Sequence, residues 1–447
     1  MVVCDPSTEK AQNDFRSLLE ADPHGSRQEY EVVLAELKGR GVIFGDKTVP
    51  ICLAPALISA ARLKPIGLEM RRLIRILTRL QEPLREAVWL TKLGISPEEQ
   101  ELIQLAPGLK AGGYISRVDG FLAPAQGDDT GYRIVELNVD SPGGAAFMDV
   151  CVEALLKTSI WKRFRKQHPG KYLASDKRDL PLLLEAWKEW GGSGVPRVAI
   201  VDWVTVNTAA EFELLRQRFC AAGVETIVAD PRELEFRGGK LLDYDGKPID
   251  LIYRRVLVED LLAQPEAVQP LLKAFRASAV CVVNTLACKP LTVKSLLSQV
   301  HLDEFETMPI SKSDLTFLRR LVPWTADVVD SPMLDKVRRE RDTTILKPAD
   351  GYGGQGLYLG WEMTQQEWEA AIQEAVTGRY VAQERVFIPQ ADFPVAGDKG
   401  WEYRRFRVDF DPYMFGQGMG DPLVRMSTSD VLNVKAGAQI AATWILK

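Results

Sequence analysis

The chain has 447 residues, enough for about three domain-sized units, and its 46% hydrophobic and 26% charged residues are ordinary for a globular protein. This composition excludes a chain dominated by disorder, and 34 glycines with 26 prolines exclude a fibrous or low-complexity chain. The net charge of −5 gives no support to a nucleic-acid-binding surface, so we expect no nucleic-acid partner.

Six scattered cysteines form no C-x-x-C pair, and the three histidines show no spacing typical of a zinc site. So few cysteines in so long a chain predict no disulfide framework and favour a reducing, cytoplasmic location. The N-terminus reaches charged residues at once, and no apolar run is long enough to span a membrane. We therefore expect neither a signal peptide nor a membrane partner.

Residues 1–110 are predicted to form an N-terminal helical region. Over 28–39 and 68–80, apolar residues recur three and four positions apart with charged residues between them, which is the pattern of an amphipathic helix. Ser96 followed by Glu99 predicts a capping box at the start of a further helix.

A hairpin of two strands is predicted within residues 111–150. Arg117 and Asp119 would share one face of the first strand, and Glu136 and Asn138 one face of the second, because side chains alternate along a strand. Pairing would bring carboxylate and amide oxygens within reach of one ion, and a few hard oxygen ligands suit Mg²⁺. The alternative is a pair of solvated strand faces. The apolar neighbours argue against it, since buried carboxylates need an ion or an arginine.

Residues 151–290 alternate apolar runs with helical patterns, among them a single helix over 259–277. This alternation predicts a parallel sheet in a Rossmann-like three-layer unit. Residues 291–447 change character, and their strand and helix patterns predict an α+β region with an antiparallel sheet.

The strongest local signal is a lysine and a Gly-rich loop between two strand-like runs, formed by Lys347, Gly351, Gly353, Gly354 and Gly356. Backbone amides of such a loop cradle phosphate oxygens, and the lysine would neutralise phosphate charge. The lysine precedes the glycines and a strand follows them, so the segment is neither a Walker A loop nor a dinucleotide-binding fingerprint. A flexible hairpin loop with a chance lysine is the alternative.

Two arginine-containing segments leave more than one interpretation open. Arg254 and Arg255 end a predicted strand, where α/β proteins bind ligands, so they are candidates for a substrate carboxylate; a surface salt bridge is the alternative. A later run alternates so that four charged residues share one strand face, and we expect cross-strand ion pairs there. These four residues are Arg405, Arg407, Asp409 and Asp411.

Glu136-x-Asn138 at a strand end, together with Lys347 before a Gly-rich loop, resembles the metal-binding and phosphate-binding parts of the ATP-grasp fold. Ordinary ATP-grasp enzymes carry the lysine loop first, whereas here it comes second by more than two hundred residues. That order is similar to the circularly permuted ATP-grasp group, to which the synthetase domain of glutathionylspermidine synthetase belongs. The resemblance covers roughly residue 112 to the C-terminus.

The resemblance implies a circularly permuted ATP-grasp fold and a division of the chain. Residues 111–150 would be the permuted metal-binding segment, 151–290 the Rossmann-like unit and 291–447 the nucleotide-binding region. The permutation further predicts that residues 117–140 lie against the sheet built from residues 345–435.

Residue roles also follow from the resemblance. Lys294 and Lys347 would bind ATP phosphates under the Gly-rich loop. The run containing Gln383, Glu384 and Val386 resembles the hinge that holds adenine, and Asn433 lies in a tail similar to the closing strands of that family. Asp119, Glu136 and Asn138 would hold Mg²⁺. Arg117 and Arg425 would steady the transferring phosphoryl group.

Together, these features predict an ATP- and Mg²⁺-dependent ligase that joins a small-molecule carboxylate to an amine through an acyl phosphate. Two alternatives stay open: a non-catalytic nucleotide-binding protein, and an ATP-grasp kinase that stops at a phosphorylated product. The sequence predicts neither the identity of the acid and amine nor an oligomeric state.

Overall fold

A computed structural model describes residues 6–105, 115–329, 331–351, 353–397, 400–434 and 437–447. In the N-terminal part, the helices predicted over 28–39 and 68–80 are confirmed within the helices Pro23–Gly39 and Ala60–Leu84. Ser96 and Glu99 form the predicted capping box at the start of the helix Pro97–Gln104. The elements of this part are α1 (Pro6–Ala21), α2 (Pro23–Gly39), β1 (Ile43–Phe44), β2 (Lys47–Thr48), β3 (Ile51–Ser59), α3 (Ala60–Leu84), α4 (Ala87–Lys92) and α5 (Pro97–Gln104).

The predicted hairpin is present, with Arg117 opposite Asn138 and Asp119 opposite Glu136 in the antiparallel register. It begins after residues 106–114, so the boundary predicted near residue 110 lies outside the described residues. The elements of this part are β4 (Ile115–Leu122), β5 (Tyr132–Asn138), α6 (Ala145–Lys157), α7 (Ser159–Gln167) and β6 (Gly170–Lys171).

A four-stranded sheet follows in the order β12-β11-β7-β8, and all its neighbouring strands are parallel, as the alternating pattern predicts. The single helix predicted over 259–277 is wrong. Two helices occur instead, because Pro265 disfavours helical backbone at the residue before it. The elements are α8 (Asp179–Trp190), β7 (Val198–Val201), α9 (Ala209–Ala221), β8 (Thr226–Ala229), β9 (Glu235–Arg237), β10 (Lys240–Leu242), β11 (Leu251–Arg254), α10 (Val258–Ala263), α11 (Gln269–Arg276) and β12 (Cys281–Val283).

The C-terminal part contains the predicted antiparallel sheet, with strand order β13-β16-β14-β15. Its elements are α12 (Lys289–Thr292), α13 (Ser295–Gln299), α14 (Lys312–Leu321), β13 (Thr325–Asp327), α15 (Ser331–Arg339), β14 (Thr344–Pro348), β15 (Tyr358–Leu359), α16 (Gln365–Gly378), β16 (Tyr380–Glu384), β17 (Gln390–Gly397), β18 (Gly400–Val408), β19 (Asp411–Phe415), β20 (Gly418–Ser427) and β21 (Gln439–Leu446).

The largest sheet joins distant parts of the chain. Its strands run in the order β17-β18-β20-β19-β4-β5, and β21 pairs with β20, β3 and β6. Because β4 pairs with β19, residues 115–122 lie beside residues 411–415, and the predicted neighbourhood of residues 117–140 and the C-terminal sheet is confirmed. The circular permutation, the Rossmann-like layering and the domain boundaries stay predictions.

Strand β3 lies inside the region that the sequence predicts to be helical. Its residues are apolar without alternation, and all but the last are buried, because β3 pairs in parallel with β21 within the large sheet. Pro55 falls where this pairing is irregular, between the pairs Cys52–Ala441 and Ala56–Thr443. A proline is tolerated at such a position because the ladder is already interrupted there.

The N-terminal helices pack on this sheet through aromatic side chains. The buried ring of Trp161 on α7 makes edge contacts with Phe15 on α1 and Trp444 on β21. Its indole nitrogen donates to the carbonyl of Leu53 on β3 at 2.8 Å. Such aromatic pairs each add about 0.5–1.5 kcal/mol beyond area burial. None of the helices in the described ranges is long and apolar enough to cross a membrane.

Candidate functional site

A cavity of about 590 Å³ lies where the hairpin β4–β5, strands β19 and β20, the sheet containing β14 and β16, and the ends of β7 and β11 meet. Its lining contains all but one of the predicted site residues: Arg117, Asp119, Glu136, Asn138, Lys294, Lys347, Gly351, Gly353, Gly354, Gln383, Glu384, Val386, Arg425 and Asn433. Gly356 is outside the lining. A Cβ there would lie 2.9 Å from both Pro348 and Tyr380, so the turn requires a residue without a side chain at this position.

The two predicted phosphate lysines enter the cavity together but are held differently. The ammonium group of Lys294 lies 2.8 Å from the Glu136 carboxylate and donates to the Gly351 carbonyl at 2.7 Å. Lys347 instead donates to the side-chain oxygen of Gln383 at 2.7 Å and to the Val135 carbonyl at 3.3 Å. Burial lowers the pKa of Lys347 to about 8. One lysine is therefore charge-paired, and the other is held by neutral acceptors.

The Gly-rich loop is tied to the segment that carries Lys294. The backbone amide of Lys294 donates to the Ala349 carbonyl at 2.8 Å, next to the side-chain bond to Gly351. Gly353 and Gly354 have φ angles of 79° and 72°, a region that side chains rarely adopt. A Cβ at Gly354 would lie 3.3 Å from Val431, so the loop also packs against the segment that precedes β21.

A cluster of five charges, three buried carboxylates and two partly buried arginines, forms the wall beside the lysines. Arg117 binds both carboxylate oxygens of Asp119, at 2.7 and 3.0 Å. Arg425 lies 3.0 Å from Asp119, 2.6 Å from Asp409 and 2.7 Å from Asp411. Three carboxylates thus share two guanidinium groups, and the cluster carries a net negative charge when all are ionised.

Burial and ion pairing shift these carboxyl groups in different directions. Burial opposes ionisation of Asp119, but Arg117 and then Arg425 hold its pKa below the ordinary value. Burial raises the pKa of Asp409 to about 6 and raises that of Asp411 well above its ordinary value. The side-chain Oδ2 of Asp411 is buried, and its contact at 2.7 Å is with Arg425, which also serves Asp119 and Asp409. An additional cation in the cavity would therefore be stabilised here.

The donor set fits a hard divalent cation. Glu136 and Asn138 share one face of β5, with Asp119 across from Glu136 on β4. The Asn138 amide reaches the Asp119 carboxylate and helps to lower its pKa, so the three side chains meet at one place. Oxygen ligands of this kind suit Mg²⁺. Asp119 already binds two arginines, so it would have to share its oxygens with an ion.

Of the cross-strand ion pairs predicted for residues 405–411, the pair of Arg405 is present, whereas the four residues do not form one continuous ladder. Arg405 lies 2.6 Å from Asp392, its register partner on β17, and Arg407 pairs with Asp430. Asp409 and Asp411 instead reach into the cavity with Arg425. Sequence reasoning assigned them no site role. The sequence pattern could have indicated them, because residues two and four positions after Arg407 share a strand face with it.

Lys289 is a second group that sequence reasoning missed, and no pattern around it gave a signal. Its side chain is 1% exposed and lies 2.7 Å from Asp350, 2.8 Å from Glu259 and 3.6 Å from Glu99. Asp350 immediately precedes the first loop glycine, so this ion-pair group anchors the start of the Gly-rich loop to α10 and α5.

Arg254 and Arg255 are both buried, so the surface salt bridge considered for them is wrong. Arg254 pairs with Asp140 and donates to the carbonyls of Asn284 and Val256 at 2.9 and 2.6 Å, which makes it a brace between sheets. Arg255 lines the cavity, and its Nε is buried without a hydrogen-bond partner. Only Arg255 is therefore placed to meet a ligand.

The predicted adenine hinge lies at one end of the cavity. Apolar residues line this end, including Ile345, Leu359 and Leu432. Gln383 is buried and its side chain bonds to protein groups, whereas the side chain of Glu384 is exposed. An apolar lining of this kind suits a flat apolar group.

Comparison with known proteins bears on the fold. No family model matches the chain. A solved structure of a glutathione synthetase-like effector from Globodera pallida is similar over 95% of this chain and 98% of its own, with a TM-score of 0.63 and 10% identity. The two proteins therefore share a fold. A putative gamma-glutamylcysteine synthetase from Methylobacillus flagellatus covers 88% of this chain and 89% of its own, with a TM-score of 0.41 and 13% identity.

One curated relative is similar in sequence. A putative glutamate–cysteine ligase from Frankia casuarinae is 25% identical over 358 residues, which are 73% of this chain. The matched part spans 39% of that relative's length.

Proposed function

We propose that the protein is an ATP-grasp ligase that uses ATP and Mg²⁺ to join a carboxylate to an amine. The observation that carries this proposal is one cavity lined by the Gly-rich loop, Lys294 and Lys347 on one side and by Glu136, Asn138, Arg117 and Arg425 on the other. The named activity of the relative that is similar in sequence, glutamate–cysteine ligase, is a ligase activity and supports it.

The cationic groups would bind and hold the nucleotide. Lys294 and Lys347 would contact its α- and β-phosphates, the loop amides would cover them, and the apolar end near Val386 would take adenine. Glu136 and Asn138, with Asp119 sharing its oxygens, would hold Mg²⁺, which supplies charge neutralisation at the β- and γ-phosphates. Positioning and charge neutralisation of this kind are what phosphoryl transfer mainly requires.

The reaction would run in two steps. A substrate carboxylate oxygen attacks the γ-phosphorus, ADP leaves, and an acyl phosphate forms; Arg117 and Arg425 would stabilise the charge on the transferring group. An amine nitrogen then attacks the acyl carbon, phosphate leaves and the amine loses a proton, which gives an amide. These arginines would stay oriented because Asp119 binds both of them.

The carboxylate substrate would lie at the end of the cavity away from the hinge. Arg255 lines this end with Asp202, and the guanidinium group has one unbonded N–H. Burial raises the pKa of Asp202 to about 6, so this carboxyl is easily neutralised or paired with a ligand cation. A substrate with a carboxylate and an amino group fits these two partners.

The proposal is tested by incubating the protein with Mg·ATP and a panel of amino acids, dipeptides and amines. ADP formation and product masses are then measured. ADP with a condensed product is the expected result. ADP with a phosphorylated acid would instead make the protein a kinase, and nucleotide binding without ADP formation with any substrate would make it a binding protein. Glu136→Gln, which removes one proposed metal ligand, is the inactive control.

A further inference from the structure

The side chain of Gln383 contacts Lys347 across two neighbouring strands. Lys347 on β14 pairs with Val381 on β16, so Gln383, two positions further, lies diagonally on the same face. The Gln383 oxygen accepts from the Lys347 ammonium group at 2.7 Å, and both residues are buried. No described residue forms an ion pair with Lys347.

A third strand fixes the orientation of the Gln383 amide. Thr325 on β13 is the register partner of Gln383, and its hydroxyl donates to the Pro323 carbonyl at 2.9 Å. That hydroxyl oxygen therefore accepts the Gln383 side-chain N–H at 3.0 Å. Since the amide nitrogen is committed to Thr325, its oxygen must face Lys347. This chain of hydrogen bonds crosses β13, β16 and β14 and gives the lysine one side-chain acceptor of fixed orientation, beside the Val135 carbonyl at 3.3 Å.

A neutral acceptor differs from the acidic partners found elsewhere in the cavity. Lys294, the other lysine there, is 2.8 Å from Glu136. A carboxylate beside Lys347 would cancel its charge and repel a phosphate, whereas an amide oxygen orients the ammonium group and leaves its charge for the ligand. Two of the three N–H groups of this ammonium group donate to Gln383 and Val135, and the third is then available to an anion in the cavity.

We propose that Gln383 is a positioning residue that aims the ammonium group of Lys347 at a nucleotide phosphate, and that this position requires a neutral acceptor. The proposal rests on the nucleotide site of the proposed function. It gives Gln383 a role different from adenine contact, because its side chain is engaged by Lys347 and Thr325 and does not point to a purine partner.

The test compares Gln383→Met, which removes the acceptor, and Gln383→Glu, which makes it acidic, with the wild type. Calorimetry without Mg²⁺ gives the affinities for ADP and for adenosine from about pH 6 to about pH 10. Wild-type affinity for ADP should fall above about pH 8, because burial lowers the pKa of Lys347 to about 8. The facing Glu136 and Asp119 carboxylates raise this pKa and the Lys294 ammonium group lowers it, and both variants leave these three groups unchanged. Both variants should bind ADP about tenfold more weakly at neutral pH.

The two variants should shift the pH profile of ADP affinity in opposite directions. The fall should begin at lower pH in Gln383→Met, which lacks the acceptor, and at higher pH in Gln383→Glu, whose carboxylate stabilises the ammonium group. Adenosine, which has no phosphate, should bind each variant as it binds the wild type. Gln373→Met, an exposed glutamine on α16, is the matched control and should change neither affinity nor profile.

Three results would decide against the inference. Profiles that coincide with the wild type in both variants would overturn it, and so would an adenosine affinity that falls as much as the ADP affinity, because a merely structural role weakens both ligands. Either outcome leaves the proposed function standing. A wild type that binds ADP neither with nor without Mg²⁺ would overturn the proposed function and this inference with it.

Discussion

The Arg425 guanidinium group lies 3.0 Å from the carboxylate of Asp119, although 306 residues separate the two in the sequence. Asp119 is buried in the wall of the cavity, the Arg425 side chain is 14% exposed, and Arg425 binds Asp409 and Asp411 as well. Because β4 and β20 both pair with β19, side chains on their cavity face meet at this point. Removing Arg425 would leave the buried Asp409 and Asp411 without the guanidinium group that they share, which costs roughly 3–5 kcal/mol.

The first prediction concerns the phosphate lysines. Lys347→Ala and Lys294→Ala should each weaken ATP binding by about tenfold or more, because ammonium–phosphate bonds contribute about 1.5–3 kcal/mol. Calorimetric titration of ATP measures this effect. Lys240→Ala, which removes an exposed lysine of the β9–β10 hairpin, should leave the affinity unchanged. Wild-type affinity in both cavity variants would show that the phosphates bind elsewhere.

The second prediction concerns the metal. Glu136→Gln should lose most of the extra thermal stabilisation that Mg·ADP gives over ADP alone, because the site loses one ligand charge and ligands stabilise by mass action. Without ligand, the variant should melt only slightly lower, since the Glu136 side chain is 26% exposed and its pair with Lys294 is partly screened. Thermal melts with ADP, with Mg·ADP and with neither separate the two effects. If Mg²⁺ adds as much thermal stabilisation to Glu136→Gln as to the wild type, Glu136 is not a metal ligand.

The third prediction concerns the base of the Gly-rich loop. Lys289→Met should destabilise the protein by about 3 kcal/mol at neutral pH, because it leaves Glu99, Glu259 and Asp350 together without their ammonium group. The loss should shrink as the pH falls and these carboxylates protonate, since protonation removes their repulsion. Urea unfolding at neutral and acidic pH measures both effects.

The control for this change is Lys273→Met, an exposed lysine on α11, which should be close to neutral. A Lys289→Met loss that is equal at both pH values would contradict an electrostatic role, because lost packing alone does not depend on protonation.

The fourth prediction concerns Asp421, a buried carboxyl outside the cavity. Burial raises its pKa to about 8. The folded state then keeps a proton that the unfolded chain loses near pH 4, so stability falls as the pH rises from about 4 to about 8. Asp421→Asn removes this charge and keeps the oxygen that accepts from the Leu173 amide. The variant should be more stable than the wild type above pH 8 by about 1–3 kcal/mol.

Urea unfolding at acidic and alkaline pH measures this difference, which should nearly vanish at the acidic end. Asp303→Asn, at an exposed position, is the control and should not alter the pH dependence. If Asp421→Asn shows the same pH dependence of stability as the wild type, Asp421 is not the group responsible.

Local patterns predicted the parts of the site that depend on near neighbours. Alternation along β4 and β5 placed Arg117 with Asp119 and Glu136 with Asn138, because the period of a strand fixes which side chains share a face. The capping box at Ser96 is local in the same way, since it needs only residues three positions apart. The glycines around residue 353 indicated a loop between strands for the same reason.

The sequence by itself therefore determined the hairpin faces, the Gly-rich loop after Lys347 and the alternation of strands with helices. Only the tertiary structure decided that β3 is a strand, that Arg254 is buried, that Lys289 lies beneath the loop and that Gln383 faces Lys347. The physical reason is that each of these depends on pairing between segments far apart in the chain. The neighbouring strand determines whether a side chain is buried and which charge it pairs with. The spacing of residues along one segment does not indicate which other segment becomes that neighbour.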